Sequence, residues 1–195
     1  MSAVLVVCTG NVCRSPMAEG FLRAAFVRRL GDAAPRVSSA GTAGWDGSGA
    51  TPEAVDAAAE RGVDIREHVA RKLDTSMIDG ADVIVCMAAE HRDAVGRLAP
   101  AAAERTFTLK ELTGLLEARG TPAGADDLAR RVADAAALRG SGGPERPADE
   151  DVVDPLGAPP SVYRAVAWEL DTFSQRLVRA AFGRTDDVAA GREGR

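Results

Sequence analysis

An apolar run, Ala3-Val4-Leu5-Val6-Val7, stops at Cys8. The polar loop Thr9-Gly10-Asn11-Val12-Cys13 follows, and Arg14 leads into a helix-forming stretch opened by Ser15-Pro16. This order of strand, short loop and helix restricts the fold more than any other part of the chain. At the carboxyl end of a strand such a loop curls so that its N–H groups point inward at one oxyanion, and the helix N-terminus adds partial positive charge. Asn11 is a residue that tolerates a left-handed backbone turn there. The same field favours a thiolate at Cys8 over a thiol. Arg14 presents a planar fork of donors that matches two oxygens of a phosphoryl group, a geometry lysine lacks. The competing reading is a buried cysteine that ends a strand before an ordinary N-capped helix. The strand before the loop and the Ser-Pro after it favour the anion site.

Strand and helix patterns alternate through the remainder. Met17, Phe21, Leu22, Ala25, Phe26 and Leu30 recur at helical intervals, and Gly31 ends that helix. Arg36 to Ser39 predicts a short strand and Gly41 to Pro52 a loop that carries Trp45. Thr51-Pro52 opens a helix to about Arg61, terminated by Gly62. Asp82 to Met87 reads as a buried parallel strand, with a helix from Ala88 to about Leu98. Arg105 to Thr108 is a weaker strand, Leu109 to Ala118 a helix, and Tyr163 to Phe182 the last long helix. The alternation predicts an α/β fold in three layers, a central parallel sheet of about four strands with helices on both faces. Its ligand crevice lies at the carboxyl ends of the strands, where Cys8 falls.

At 195 residues and 46% hydrophobic content, the chain can bury one good core. A net charge of −5 argues against nucleic acid as a partner. No apolar run reaches the roughly 18 to 20 residues needed to cross a bilayer, and Met1-Ser2 leads straight into the first strand. A cytoplasmic protein with no membrane partner is therefore expected, and three cysteines, one of them required as a thiolate, suit a reducing compartment. Nothing in the pattern asks for a metal or a cofactor.

Cys8 through Glu19, Cys-Thr-Gly-Asn-Val-Cys-Arg-Ser-Pro-Met-Ala-Glu, resembles the signature of the low-molecular-weight protein tyrosine phosphatases. The similarity continues, in family order, through Ser38-Ser39-Ala40-Gly41-Thr42, His68-Val69-Ala70-Arg71, Ala81 to Met87 and Asp154-Pro155. The resemblance implies a single flavodoxin-like domain over 1–183; the stretch at about 120–150 departs from the family pattern as an insert, and the polar composition of 184–195 predicts a disordered tail. The resemblance also implies a Cys8 nucleophile, an Arg14 phosphate clamp and an Asp154 general acid, with Asn11, Ser15, Ser39 and His68 forming the hydrogen-bond network beneath the phosphate.

The chemistry is consistent with that. In-line attack on a phosphate ester needs the charge on three equatorial oxygens stabilised, which inward amides of Thr9 to Ser15 and Arg14 provide. The leaving group needs a proton, for which Asp154, with Pro155 stiffening its loop, is the candidate. Water then hydrolyses the cysteinyl-phosphate, with Asp154 as base. The expected partners are a phosphorylated protein or peptide as substrate and inorganic phosphate or other oxyanions as inhibitors.

Substrate choice is less marked. Tyrosine-specific relatives carry two aromatic residues after Asp-Pro, whereas this chain has Leu156-Gly157, so Trp45 is the remaining candidate for an aromatic wall. Phe107 to Glu111 and Asp154 to Gly157 look closer to the branch of protein-arginine phosphatases, which carry Thr where this loop has Val12. An aliphatic Val12 flanks a flat ring but cannot hydrogen-bond a guanidinium. Phosphotyrosine is the first expectation and phosphoarginine the second. An arsenate reductase, which needs further relay cysteines, and a silent phosphopeptide-binding module rank below both. An acidic residue often follows the family's Cys-Met, but here the position is Ala88.

Four further expectations follow. Cys13 lies close enough in sequence to Cys8 for a reversible, protective disulfide, and Cys86 reads as core. Asp126 to Leu138 predicts a helix and Arg139 to Asp151 a mobile linker, so the insert is either a lid or an added surface helix. His91 is expected as a solvated helix residue.

Overall fold

β1 (Ala3–Cys8) is buried at every residue from Val4 onward and lies between two neighbours. It pairs in parallel with β2 (Arg36–Gly41), from Ala3 opposite Arg36 to Cys8 opposite Gly41, and on its other side with β3 (Val83–Cys86). β4 (Thr106–Thr108) adds beyond β3, so the strand order is β2-β1-β3-β4 and every pairing is parallel. The computed structural model describes residues 2–120, 127–144 and 147–183.

The alternation of β1 side chains distributes the core between two faces. Val4, Val6 and Cys8 join one apolar cluster, and Leu5 and Val7 the other. On the first face lie α1 (Arg14–Leu30), α2 (Pro52–Ala59), α5 (Leu109–Arg119) and α7 (Pro160–Phe182), with α7 packed across the other three. The opposite face is covered by α3 (Thr75–Asp79), α4 (Ala89–Leu98) and a 3-10 turn over Pro100–Arg105, which supply Ile78, Val95 and Ala102. The chain winds from β1 to β2 on one side, then crosses to β3 on the other. The carboxyl ends of β1 and β3 therefore diverge into a crevice, the usual ligand position in such sheets.

Local signals account for most boundaries. Thr51 caps α2 by accepting from the Ala54 amide, with Pro52 as the first helical residue. Thr108 and Glu111 form a reciprocal capping box at α5. The short α3 and the 3-10 turns were not anticipated. On α7, Phe173 sits at the edge of the buried stripe under Lys110 and Arg176, and Ser174 takes the inner position.

The insert forms the expected helix, and of its two readings the added surface helix holds and the lid does not. α6 (Leu128–Gly140) packs against α5 and the Pro100–Arg105 turn, and none of residues 127–144 lines the crevice beside Cys8. The end of the expected linker, residues 149–151, is held down instead. Asp149 meets Lys110 at 3.3 Å, Glu150 meets Arg92 at 2.6 Å, and Asp151 accepts from the Ala89 amide at 2.7 Å. Gly and Pro composition suggests mobility, but the three acidic side chains find cationic or amide partners. The expected tail at 184–195 lies outside the described residues.

The segment beyond β2 is pressed against its neighbours. An added Cβ on Gly44 would stand 2.4 Å from the Arg71 carbonyl oxygen, whereas one on Gly96, inside α4, would meet open space. Gly44→Ala is expected to lower unfolding free energy in urea by about 1–3 kcal/mol through overpacking. Gly96→Ala is expected to raise it by up to about 1 kcal/mol through helix propensity. An unchanged midpoint for Gly44→Ala would contradict the close approach of the two segments.

Candidate active site

Cys8 is the last residue of β1 and Arg14 the first of α1, one residue earlier than the Ser-Pro signal suggests. Between them the chain reverses around Asn11, whose φ of 58° makes it the non-glycine residue in left-handed backbone. The carbonyls of the loop are all occupied from outside. Cys8, Thr9 and Gly10 accept from the amides of Thr42, Ala43 and Trp45 at 2.9, 3.0 and 3.1 Å. Asn11 accepts from His68 Nε2 at 2.8 Å, Val12 from the Thr51 amide at 2.9 Å, and Cys13 from Met17 within the helix at 3.3 Å. In a planar trans peptide the C=O and N–H point in opposite directions, so six outward carbonyls turn the following amides inward. An oxyanion hole follows from where the acceptors are satisfied.

The Asn11 side chain, fully buried, holds this curl from beneath. Its Oδ1 accepts from the Arg71 amide at 2.8 Å, and its Nδ2 donates to Ser15 Oγ and Ser39 Oγ, both at 2.8 Å. An amide NH2 can only donate, so both hydroxyls spend a lone pair on it and turn their protons elsewhere. Ser15 Oγ lies 2.9 Å from Cys8 Sγ, where its proton serves a thiolate, and Ser39 directs its proton to Glu19 Oε2 at 2.7 Å. Glu19 in turn pairs with Arg23. The Asn11 amide lies 3.3 Å from the same sulfur. Two donors thus converge on Cys8, at the N-terminus of a helix with no acidic residue in its first turn.

Arg14, 4% exposed, donates to the Val152 carbonyl at 3.1 Å, to Thr9 Oγ1 at 3.3 Å and to Asp154 Oδ2 at 2.6 Å. The Asp154 carboxylate stands at the mouth, and its Oδ1 accepts from the Leu156 amide at 3.1 Å. Cys8, Thr9, Gly10, Val12, Cys13, Arg14, Trp45, Asp154 and Leu156 line one small, solvent-open cleft. Trp45 is half-exposed and its indole lies over Gly10, where an added Cβ would come within 3.7 Å of the ring. Every residue singled out from the sequence therefore lines the cleft or lies beneath it, with Asn11, Ser15, Ser39 and His68 in the second group. Among the described residues no cluster of three or more His, Cys, Asp or Glu side chains could hold a metal ion.

His91 is the exception to the sequence reading. It is 1% exposed rather than solvated, and its Nε2 lies 2.9 Å from Thr9 Oγ1, the oxygen that also receives Arg14. Its partner is 82 positions away, so no local pattern marked it. Glu19, Arg71 and Tyr163 were likewise missed as site residues. Cys13 Sγ sits 3.6 Å from Thr51 Oγ1 and 3.7 Å from the Tyr163 hydroxyl, and burial pushes its thiol up. All three cysteines are free, and burial within the sheet raises Cys86 as well.

A protonated His91 would bury two N–H donors, and among the described residues its Nδ1 has no partner. Burial, helped by the charge of Arg14, pushes the imidazole down to about 4. An unfolded histidine titrates near about 6.5, so between these values the unfolded chain binds a proton that the folded one refuses. The contribution of His91 is complete above about pH 6.5 and is lost as pH falls toward about 4. Urea unfolding at pH 7 and pH 5 is expected to show a smaller acid loss of stability for His91→Gln than for the unaltered protein. Equal losses would contradict the buried neutral ring.

Residues 3–120 match the family model described as low molecular weight phosphotyrosine protein phosphatase. The chain is 32% identical over 174 residues to the protein-arginine-phosphatase of Geobacillus stearothermophilus, spanning 89% of this chain and 92% of that one. A crystal structure of a low molecular weight protein tyrosine phosphatase from T. tengcongensis superposes with a TM-score of 0.68 at 32% identity, covering 92% of this chain and 99% of that one. A cysteine-to-serine mutant of the YwlE arginine phosphatase with a phosphorylated active-site serine superposes with a TM-score of 0.69 at 25% identity, covering 91% and 93%. The chain belongs to the low-molecular-weight phosphotyrosine protein phosphatase family, and it is a phosphoric monoester hydrolase.

Proposed function

We propose that the protein removes phosphate from phosphotyrosine in proteins through a cysteinyl-phosphate, with Cys8 as nucleophile, Arg14 as phosphate clamp and Asp154 as general acid and then base. The observation that carries this reading is the single cleft in which the Cys8 sulfur, the inward amides, Arg14 and Asp154 meet. A phosphate dianion seated on the loop neutralises Arg14 and competes with Asp154 for it. Released from Arg14, the carboxyl stands free to serve the leaving oxygen as general acid. Attack by Cys8 breaks the P–O bond to the tyrosine, and water activated by Asp154 later breaks the S–P bond, releasing inorganic phosphate.

The walls favour an aromatic ester. Val12 Cγ2 and the Trp45 indole stand 3.4 and 3.7 Å from where a Cβ on Gly10 would sit, and Leu156 adds a third apolar surface to the cleft. A flat ring gains contact there, whereas a guanidinium would lose hydrogen bonds to water without replacing them. The long match to a protein-arginine-phosphatase keeps phosphoarginine as the second reading. The catalytic unit extends past the matched 3–120 segment to about residue 183, because Asp154 follows that segment and α7 closes the core over α1. Three free cysteines suit a cytoplasmic setting, and a reversible Cys8–Cys13 disulfide under oxidation belongs to the same reading.

Cys8→Ser is expected to abolish turnover of an aryl phosphate while inorganic phosphate still binds, and Asp154→Ala to slow cleavage by about 10²-fold or more. Full activity in either variant would remove that residue from its role. In a side-by-side assay, phosphotyrosine peptides are expected to be preferred over phosphoarginine peptides, with Val12→Thr shifting the ratio toward phosphoarginine. A phosphoarginine preference in the unaltered protein would establish the second reading.

A further inference from the structure

The acid loop is fastened at a series of points before it reaches Asp154. Asp149 meets Lys110, which also pairs with Glu169 at 2.8 Å. Glu150 takes both ends of the Arg92 guanidinium, at 2.6 and 3.1 Å, and accepts from Thr108 Oγ1 at 3.3 Å. Asp151 accepts from the Ala89 amide, and Val152 donates to the Met87 carbonyl at 2.8 Å while its own carbonyl receives Arg14. Two residues later comes the carboxylate at the mouth.

α4 explains why this fastening is needed. Its N-cap is Ala88, which offers no side-chain acceptor, and Asp151 supplies the missing cap from a different segment. Arg92 sits on the next turn with its side chain largely buried, flanked by Glu150 and Glu111. A forked, two-point pair fixes direction as well as distance, which a single surface contact does not.

We propose that Arg92 and Glu150 are positioning residues for Asp154: their bidentate pair, with the Asp151 cap, sets where the general acid stands over the phosphate loop. This rests on the reading of Asp154 as the acid. Neither residue lines the cleft, so neither contacts the substrate.

The test exploits the leaving group. The acid matters most when the departing phenolate is basic and little when it is not. We would measure kcat/KM across aryl phosphates from phenyl to 2,4-dinitrophenyl phosphate for Glu150→Gln, Arg92→Lys and Asp154→Asn, and for Glu150→Gln combined with Asp154→Asn. Glu150→Gln is expected to cost about tenfold on phenyl phosphate, part of the roughly 10²-fold worth of a general acid, and less than about twofold on the dinitrophenyl ester. Arg92→Lys, which keeps the charge without the fork, is expected to give the same pattern at smaller size. Competitive inhibition by inorganic phosphate stays unchanged in both, and in the Asp154→Asn background Glu150→Gln costs nothing further. Equal losses across all leaving groups, a full additional loss on Asp154→Asn, or no loss in either positioning variant would overturn the proposal. If Asp154→Asn alone shows no dependence on the leaving group, the acid assignment falls, and this proposal with it.

Discussion

The occupation of the loop carbonyls governs the chemistry of this protein. Each peptide between Cys8 and Arg14 has two faces to its dipole, and the surrounding segments claim the oxygen side of all six carbonyls, Cys8 to Cys13. What remains facing inward is a ring of N–H groups around the position in front of the sulfur. No cation beyond Arg14 is needed to create this field, because the partial charges are those of the backbone itself. The design is rigid because it is distributed. Residues after β2, the His68 to Arg71 segment, the Thr51 cap and α1 each satisfy a different carbonyl or the Asn11 side chain.

Hydrogen-bond direction adds to the field. Asn11 Nδ2 donates to two serines, turns both hydroxyl protons away from itself and starts two chains. One runs through Ser15 to Cys8 and the other through Ser39 to Glu19 and Arg23. The sulfur is therefore addressed by proton donors and the far end of the network by a carboxylate. Reversing either serine would leave a buried donor facing a donor, at a cost of the order of 1–3 kcal/mol.

The parts of this arrangement that could be read from sequence are those that repeat or sit together. The apolar runs at β1 and β3, the helical spacing from Met17 to Leu30 and the Cys8 to Ser15 segment each carry their own context, and the structure places them as the pattern implies. The short α3 has too few residues to establish a period. Contacts between remote segments leave no such trace. His91 looked like any polar residue on an amphipathic helix, and only the approach of β1 and α4 brings it to Thr9. Residues 149–151 looked like a charged linker because composition cannot reveal that Lys110, Arg92 and the open end of α4 lie in wait for those charges. Both misreadings have one cause, namely that the partner was supplied by another element.

That common cause points at α4. One face of its first turns reaches the phosphate loop through His91 and Thr9, and the other reaches the acid loop through the Ala89 amide and Arg92. The nucleophile and the acid come from segments about 146 residues apart, Cys8 and Asp154, and their only covalent connection runs through most of the fold. A relative placement accurate enough for in-line transfer needs a body that touches both, since a misplacement of about 1 Å can cost about 10²-fold in rate. Val152 touches Arg14 directly and Met87 joins it to β3, but these fix the loop at one point of its length. Two further points on a single helix fix its direction as well, so the orientation of Asp154 follows from a helix that contributes no reacting atom.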